Sequence, residues 1–267
     1  MSGRRVAAVL LRIVYLYRGS PARVFPLFIW VAVDILLWGF LTRYLNAVSG
    51  AGVNFVPALL GAVLLWDFLT RVMQGVTMAF FEDVWSRNFL NFFATPLRIS
   101  EYLAALILAS VGTSVVSLIV MMVFAGAAFG LSFFSYGAAL APFLMTLFVT
   151  GIAFGVAAAA LVLKLGPASE WLVWPIPMIV SPFAGVFYPV SVLPGWMQAI
   201  AAVLPPAYVF EGMRAVVAGN PAPWGRLAVG GGLAVLYLAL ACFAFAAVYR
   251  LAIRTGLIAR YSAESVS

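Results

Sequence analysis

Eight carboxylates, fifteen bases, one thiol and no imidazole are the reactive inventory of this chain of 267 residues. The missing histidine removes the commonest general base and metal ligand. The lone thiol, Cys242, lies in an apolar run, where it forms neither an internal disulfide nor a cysteine cluster. The single lysine, Lys164, stands in "LVLKLGP", so the phosphate-cradling pattern G-x-x-x-x-G-K-S/T cannot be written anywhere in the chain. No zinc spacing, nucleophile elbow or carboxylate dyad in a soluble pocket appears either. The chain is therefore expected not to be an enzyme and to hold no metal or cofactor. Any energy it uses must come from a partner or a gradient.

Three of the charges stand where charge is expensive. Asp34, Asp67 and Arg71 interrupt long apolar runs, and a bare charge at mid-bilayer costs on the order of 3 kcal/mol or more. Asp67 and Arg71 are an i,i+4 pair on one helix face. Asp34 lies about ten residues above the inner end of the first run, and Arg71 about ten above that of the second. At ~1.5 Å per residue both sit ~15 Å from the same edge. The expectation is an Asp34–Arg71–Asp67 cluster that locks the first two spans together, with a proton or substrate relay as its functional rival.

The elements that must hold these residues follow from composition. Hydrophobic residues make up 66% of the chain and charged ones 9%, too little polar surface for a globule of this size in water. Runs of about 20 apolar residues suffice to cross a bilayer. Six fit: about 24–44, 55–80, 101–129, 138–163, 171–189 and 226–250. The fold class is an all-α membrane protein, one transmembrane domain over 1–267 with six spans in 24–250 and a tail at 251–267. Arg4, Arg5, Arg12, Arg18 and Arg23 precede the first span with no acid and no small-residue cleavage site, so the amino terminus reads as retained.

Eleven of the fifteen bases fall on one side if both termini are inside, with Arg87, Arg98, Lys164, Arg250, Arg254 and Arg260 joining the first five. Arg43, Arg214 and Arg226 fall outside. The positive-inside rule places both termini in the cytoplasm. The net charge of +7, without a basic block, reads as orientation in the bilayer and not as a nucleic-acid surface. The arginine bias points to a GC-rich bacterial genome.

Segments between the spans carry further information. Before the first span, Val6, Val9, Leu10, Ile13, Val14 and Leu16 recur at helical spacing, with Arg5, Arg12 and Arg18 between them. That suits a helix over about 6–18 lying in the inner interface; a solvated basic leader is the alternative. The link after span 2, "FFEDVWSRNFLNFFATPLRISEY", predicts an amphipathic helix over about 83–94. Acids sit at its start, Arg87, Asn88 and Asn91 on its polar side, and Pro96 at its stop. It reads equally as a docking surface for a soluble partner or as a polar turn. The link 189–225 is 37 residues long with Glu211 and Arg214 as its only charges. Two short helices, about 194–204 and 206–218, broken at Pro205-Pro206, would let it dip back into the bilayer; a plain interfacial cap is the alternative. Span 5 carries Pro175, Pro177, Pro182 and Pro189, so it should be kinked and face other helices. Gly126-x-x-x-Gly130 and Gly151-x-x-x-Gly155 fit close helix packing, but among 23 glycines such matches arise by chance.

In this order the features resemble the permease subunit of type-2 ATP-binding-cassette (ABC) exporters. The segments that carry the resemblance are "YLYRGSPARVFPLFIWVAVDILLWGF" at the entry to span 1, "EDVWSRNFLNFFATPLRISEY" as a coupling-helix region, and "FYPVSVLPGWMQAIAAVLPPAYVFEGMRAVVAG" at 187–219. The resemblance implies a homodimer in the inner membrane, docked to two copies of a separate ATP-binding subunit that binds ATP and Mg. The coupling helix would present Glu82, Asp83, Trp85, Ser86, Arg87, Asn88 and Asn91, and the 6–18 helix would touch the same partner. Residues 193–219, with Pro205, Pro206, Glu211 and Arg214, would form an outer re-entrant cap. Spans 2 and 5 would line the path, with Trp66, Phe68, Phe183, Phe187 and Tyr188 as its aromatic wall. The resemblance assigns no role to the aspartates within spans 1 and 2. The cargo implied is a drug, lipid or lipid-linked glycan. A gradient-driven carrier or lipid scramblase is the alternative, though it would need intramembrane relays or repeats, and 24–129 and 138–250 show no convincing repeat.

Overall fold

Lipid offers no hydrogen bonds to a backbone, so apolar segments of this length satisfy their amides by becoming helices. The computed structural model describes the backbone of residues 1–49, 56–86 and 95–256, and their side chains except at 21–24, 26–28 and 49. Among the described residues the chain is 87% helical with no strand. Helix α1 spans Gly3–Arg18 and α2 Pro21–Ser49. A π-helical turn, Val56–Leu60, leads into α3, Gly61–Trp85. Helix α4 is Ile99–Phe129, and a 3₁₀ turn, Phe133–Ala139, opens α5, Leu140–Leu165. After a second 3₁₀ turn, Pro167–Leu172, come α6 (Pro175–Ala184), α7 (Gly195–Val203), α8 (Pro205–Val217) and α9 (Trp224–Thr255).

Among the described residues, five stretches are long and apolar enough to cross a membrane: Ile29–Val48, Val56–Trp85, Ile99–Phe129, Phe133–Leu165 and Trp224–Thr255. The expected fifth span, 171–189, does not form one long helix. Its helical core, α6, has 10 residues, about 15 Å against a hydrocarbon core of about 30 Å. The cause lies in its prolines and one glycine. Pro175 and Pro177 start the helix, Pro182 removes a hydrogen bond inside it, and Gly185, at φ 64°, ends it in the left-handed region. Helices α7 and α8 form close to the expected bounds and meet at 100°, so they count as a broken span or a re-entrant pair. The sharp turn falls at Leu204, just before Pro205-Pro206.

Helix α3 lies at the centre, between α4 and α5; α9 packs on the far side of α5, α2 leans on α4, and α8 fills the space beside α5 and α9. Phe80, Phe81, Tyr102, Phe143 and Phe245 are fully buried in this core. Two glycines let α3 and α5 cross closely. A Cβ at Gly151 would stand 2.7 Å from the Leu69 carbonyl oxygen and the Val72 Cβ, and one at Gly155 2.7 Å from the Val76 Cβ. The second glycine pair therefore packs helices, whereas in the first Gly130 ends α4 at φ 69° with open space around it. One boundary differs from expectation. Residues 83–85 continue α3 without a break and Ser86 is its C-cap, so they do not begin a separate helix. The remainder of the expected coupling helix, 87–94, lies outside the described residues.

Candidate functional site

Helix α3 buries most of its circumference and leaves one stripe open. Asp67, Thr70, Gln74, Met78 and Glu82, spaced by three and four residues, are among its partly exposed positions. This is the spacing that aligns side chains on one helix face. The stripe lines a cavity of about 620 Å³, closed on its other sides by Ile13 and Tyr17 of α1, Trp30 and Asp34 of α2, Thr113 and Ser117 of α4, and Trp174.

The three intramembrane charges meet in this cavity. Arg71, buried, donates from Nε to Asp67 Oδ2 at 3.1 Å, while its Nη2 stands 3.8 Å from Asp34 Oδ2. Helix α2 makes few other contacts with α3, so this pair is a main tie between them. Asp34 remains 39% exposed and Asp67 13%, so Asp34 is the more open of the two cavity carboxylates beside Arg71.

A second set of charges girdles the end of the bundle where α1 lies, the inner end by the arginine distribution. Arg12 of α1 donates to Asp83, whose other oxygen accepts from the Tyr102 hydroxyl at 2.7 Å. The third residue of α4, Glu101, accepts from the Ser2 amide at 2.6 Å and from the Arg98 amide at 3.0 Å, the latter closing the first turn of that helix. Arg5 lies 3.4 Å from Glu101 and donates to the Pro96 carbonyl at 2.6 Å. Trp85 donates from its indole nitrogen to Glu170 at 2.8 Å, joining the end of α3 to the turn before α6. Helix α1 is therefore bolted to the chain both before and after residues 87–94.

The expected coupling residues accordingly separate. Asp83 is fully buried and committed to Arg12 and Tyr102, so it offers no surface to a soluble partner. Trp85 and Ser86 are exposed and Glu82 half-buried, whereas Arg87, Asn88 and Asn91 lie outside the described residues. Of the α1 arginines, Arg5 and Arg12 turn into the protein and Arg18 stays exposed. Val6, Val9 and Ile13 are the buried face of α1, and Leu11, Val14 and Tyr15 are exposed.

At the opposite end, Glu211 accepts from the Val190 amide and from Arg214 Nη2, both at 2.8 Å, pinning α8 to the 3₁₀ turn Val190–Val192. Pro205 and Pro206 are buried at the start of α8. The aromatic residues divide as well. Phe68 is 4% exposed and belongs to the core, so it gives no wall to a path. Trp66 rests near Phe210 at 6.0 Å, and Phe183 meets Trp196 at 6.0 Å. Phe187 stacks on Trp38 of α2 at 5.3 Å, and Tyr188 donates to the Pro182 carbonyl at 3.0 Å.

Residues 20–218, which carry most of this bundle and its cavity, match a known family model, that of the ABC-2 type transporter. The chain belongs to the ABC-2 type transporter family. It is thus a multi-pass membrane protein and a permease subunit of type-2 ABC transporters, a family whose permeases generally work with an ATP-binding subunit. No curated protein matches the chain. The match takes in α2 to α8, with the cavity's charges and Glu211 and Arg214 inside it, and leaves α1 and α9 outside.

Two parts of this ABC-2 permease escape a reading of the sequence. Gln74 and Thr70 complete the polar stripe of α3, and the three- and four-residue spacing from Asp67 to Glu82 is the signal that would have found them. Glu170 and Glu101 join the inner girdle across 85 to 99 residues of sequence, and no local spacing announces those contacts.

Proposed function

We propose that this chain is the conduit of an ATP-driven exporter, working as a homodimer with two copies of a separate ATP-binding subunit in the bacterial inner membrane. The observation that carries this reading is the girdle. Two buried carboxylates, Asp83 and Glu101, tie α1 to both flanks of residues 87–94. A short inner segment held at both ends is a handle. Force applied to it reaches α3 through Asp83 and the turn before α6 through Trp85 and Glu170.

Closure of the two ATP-binding subunits on nucleotide would draw these segments along, moving α3 and α6 relative to α4 and opening the path outward. The work comes from tighter docking in one nucleotide state than the other, and no chemistry in this chain is required. The proline-rich pieces α6, α7 and α8 would together supply the sixth crossing and its outer cap, with both termini in the cytoplasm. Backbone broken in this way is stable at membrane depth where protein or a cavity surrounds it. Glu211 and Arg214 would hold that cap in shape. The cargo is a hydrophobic or amphipathic molecule.

A photo-crosslinking amino acid at Ser86, which is exposed, tests the docking surface, with one at Phe134, 78% exposed at the opposite end of the bundle, as control. The reading expects an adduct with a soluble ATPase from position 86, altered by ATP, and none from position 134. Absence of any ATPase adduct from position 86, with the permease moving cargo or lipid regardless, would contradict it and favour the gradient-driven carrier or scramblase.

A further inference from the structure

The cavity beside α3 has a chemical character that the bare reading of a transport subunit does not explain. It runs from Asp67 to Trp85, eighteen residues of one helix, or about 27 Å at the helical rise. Its volume, about 620 Å³, falls in the range that holds a drug-sized molecule. Among the described residues four carboxylates line it, those of Asp34, Asp67, Glu82 and Asp83. Arg12 answers Asp83, Glu82 is engaged as well, and Arg71 alone serves both Asp34 and Asp67. At that pair of aspartates the surplus is negative.

The surplus is also placed. Arg71 spends its hydrogen bond on Asp67 and stands 3.8 Å from Asp34, so Asp34 is the carboxylate with capacity left for another cation. Two large aromatic side chains share the lining with it, Trp30 at 60% exposure and Trp174 at 45%. A positive centre near a carboxylate, with indole faces beside it, gains both from the ion pair and from the rings' electron-rich faces. Met78 and Leu16 supply apolar wall beyond them.

We propose that this cavity binds an amphipathic cation of drug size, with its positive centre against Asp34 and its apolar body between Trp30 and Trp174. The inference rests on the transport reading for its purpose, since it names the cargo class of that path. Binding itself needs no ATPase partner. A cluster that merely locks α2 to α3 would have no reason to prefer one sign of ligand charge.

Tetraphenylphosphonium and tetraphenylborate, matched in size and opposite in charge, separate these cases. Each is titrated onto the full chain in lipid nanodiscs, with empty nanodiscs subtracted and thermal unfolding recorded for every variant. The wild-type chain binds the phosphonium saturably and the borate at least roughly tenfold more weakly. Asp34→Asn loses roughly tenfold in phosphonium affinity, and Asp34→Glu keeps most of it. Equal binding of the two probes, or undiminished phosphonium binding by a folded Asp34→Asn chain, overturns the proposal. If Asp34→Asn does not fold, Trp30→Ala decides, because that side chain is exposed and its loss spares the core. Unchanged affinity there overturns the proposal too. Saturable cation binding by a chain that yields no ATPase adduct would sink the transport reading alone. An ATPase adduct without preference for the cation would sink this inference alone.

Discussion

Arg71 carries more of the structure than any other charge in the membrane-spanning part, because two carboxylates depend on it. Removing one partner of a buried pair leaves the other uncompensated, which typically costs about 3–5 kcal/mol. Arg71→Ala should therefore destabilise the chain by about 3 kcal/mol, read as a lower thermal midpoint in lipid. The double variant Arg71→Ala with Asp67→Ala should recover part of that loss, since the buried carboxylate hydrogen-bonded to Arg71 is then gone as well. Equal midpoints for Arg71→Ala and wild type would show the cluster to be ornamental. That Asp34, Asp67 and Arg71 meet was legible from depth alone, because helices cross a membrane at a fixed rise per residue. Which carboxylate holds the hydrogen bond was not, since it depends on how α2 is rotated about its axis.

At the scale of elements, the sequence shows helix ends well wherever proline or glycine marks them, as at Pro205 and Gly130. It shows crossings poorly. Gly151 and Gly155 share their spacing with Gly126 and Gly130, yet only the first pair faces a neighbouring backbone. Spacing tells which residues share a face and is silent on what the face meets. The same holds for α1, whose arginines could be read as meeting water but whose partners, Asp83 and Glu101, stand 71 and 96 residues away. Proline content foretold that 171–189 would bend, though not that its helix would shorten to 10 residues. The α3–α5 crossing makes a sharp test. Gly151→Leu drives a side chain into the Leu69 carbonyl and should abolish monodisperse protein on size-exclusion chromatography. Gly126→Ala, whose nearest neighbour is 3.5 Å away, should be tolerated. A monodisperse Gly151→Leu chain would show that the helices are not pressed together there.

At the scale of the whole molecule, the apolar surface and the inner girdle make complementary demands. The exposed faces of α2 and α9 hold Leu37, Phe40, Leu236 and Phe243, side chains suited to lipid or a second copy of the chain. The girdle instead concentrates ion pairs among α1, the end of α3 and the start of α4. Membrane residence and family membership are settled at this scale, while cargo and stoichiometry depend on chains that are not this one. The most direct test is the mass and composition of the particle purified from its native membrane through a tag on this chain. The account predicts two copies of this permease with two of a soluble ATPase, and ATP hydrolysis that stops when they are parted. A particle that contains this chain without any ATPase, and still moves its cargo, would contradict it.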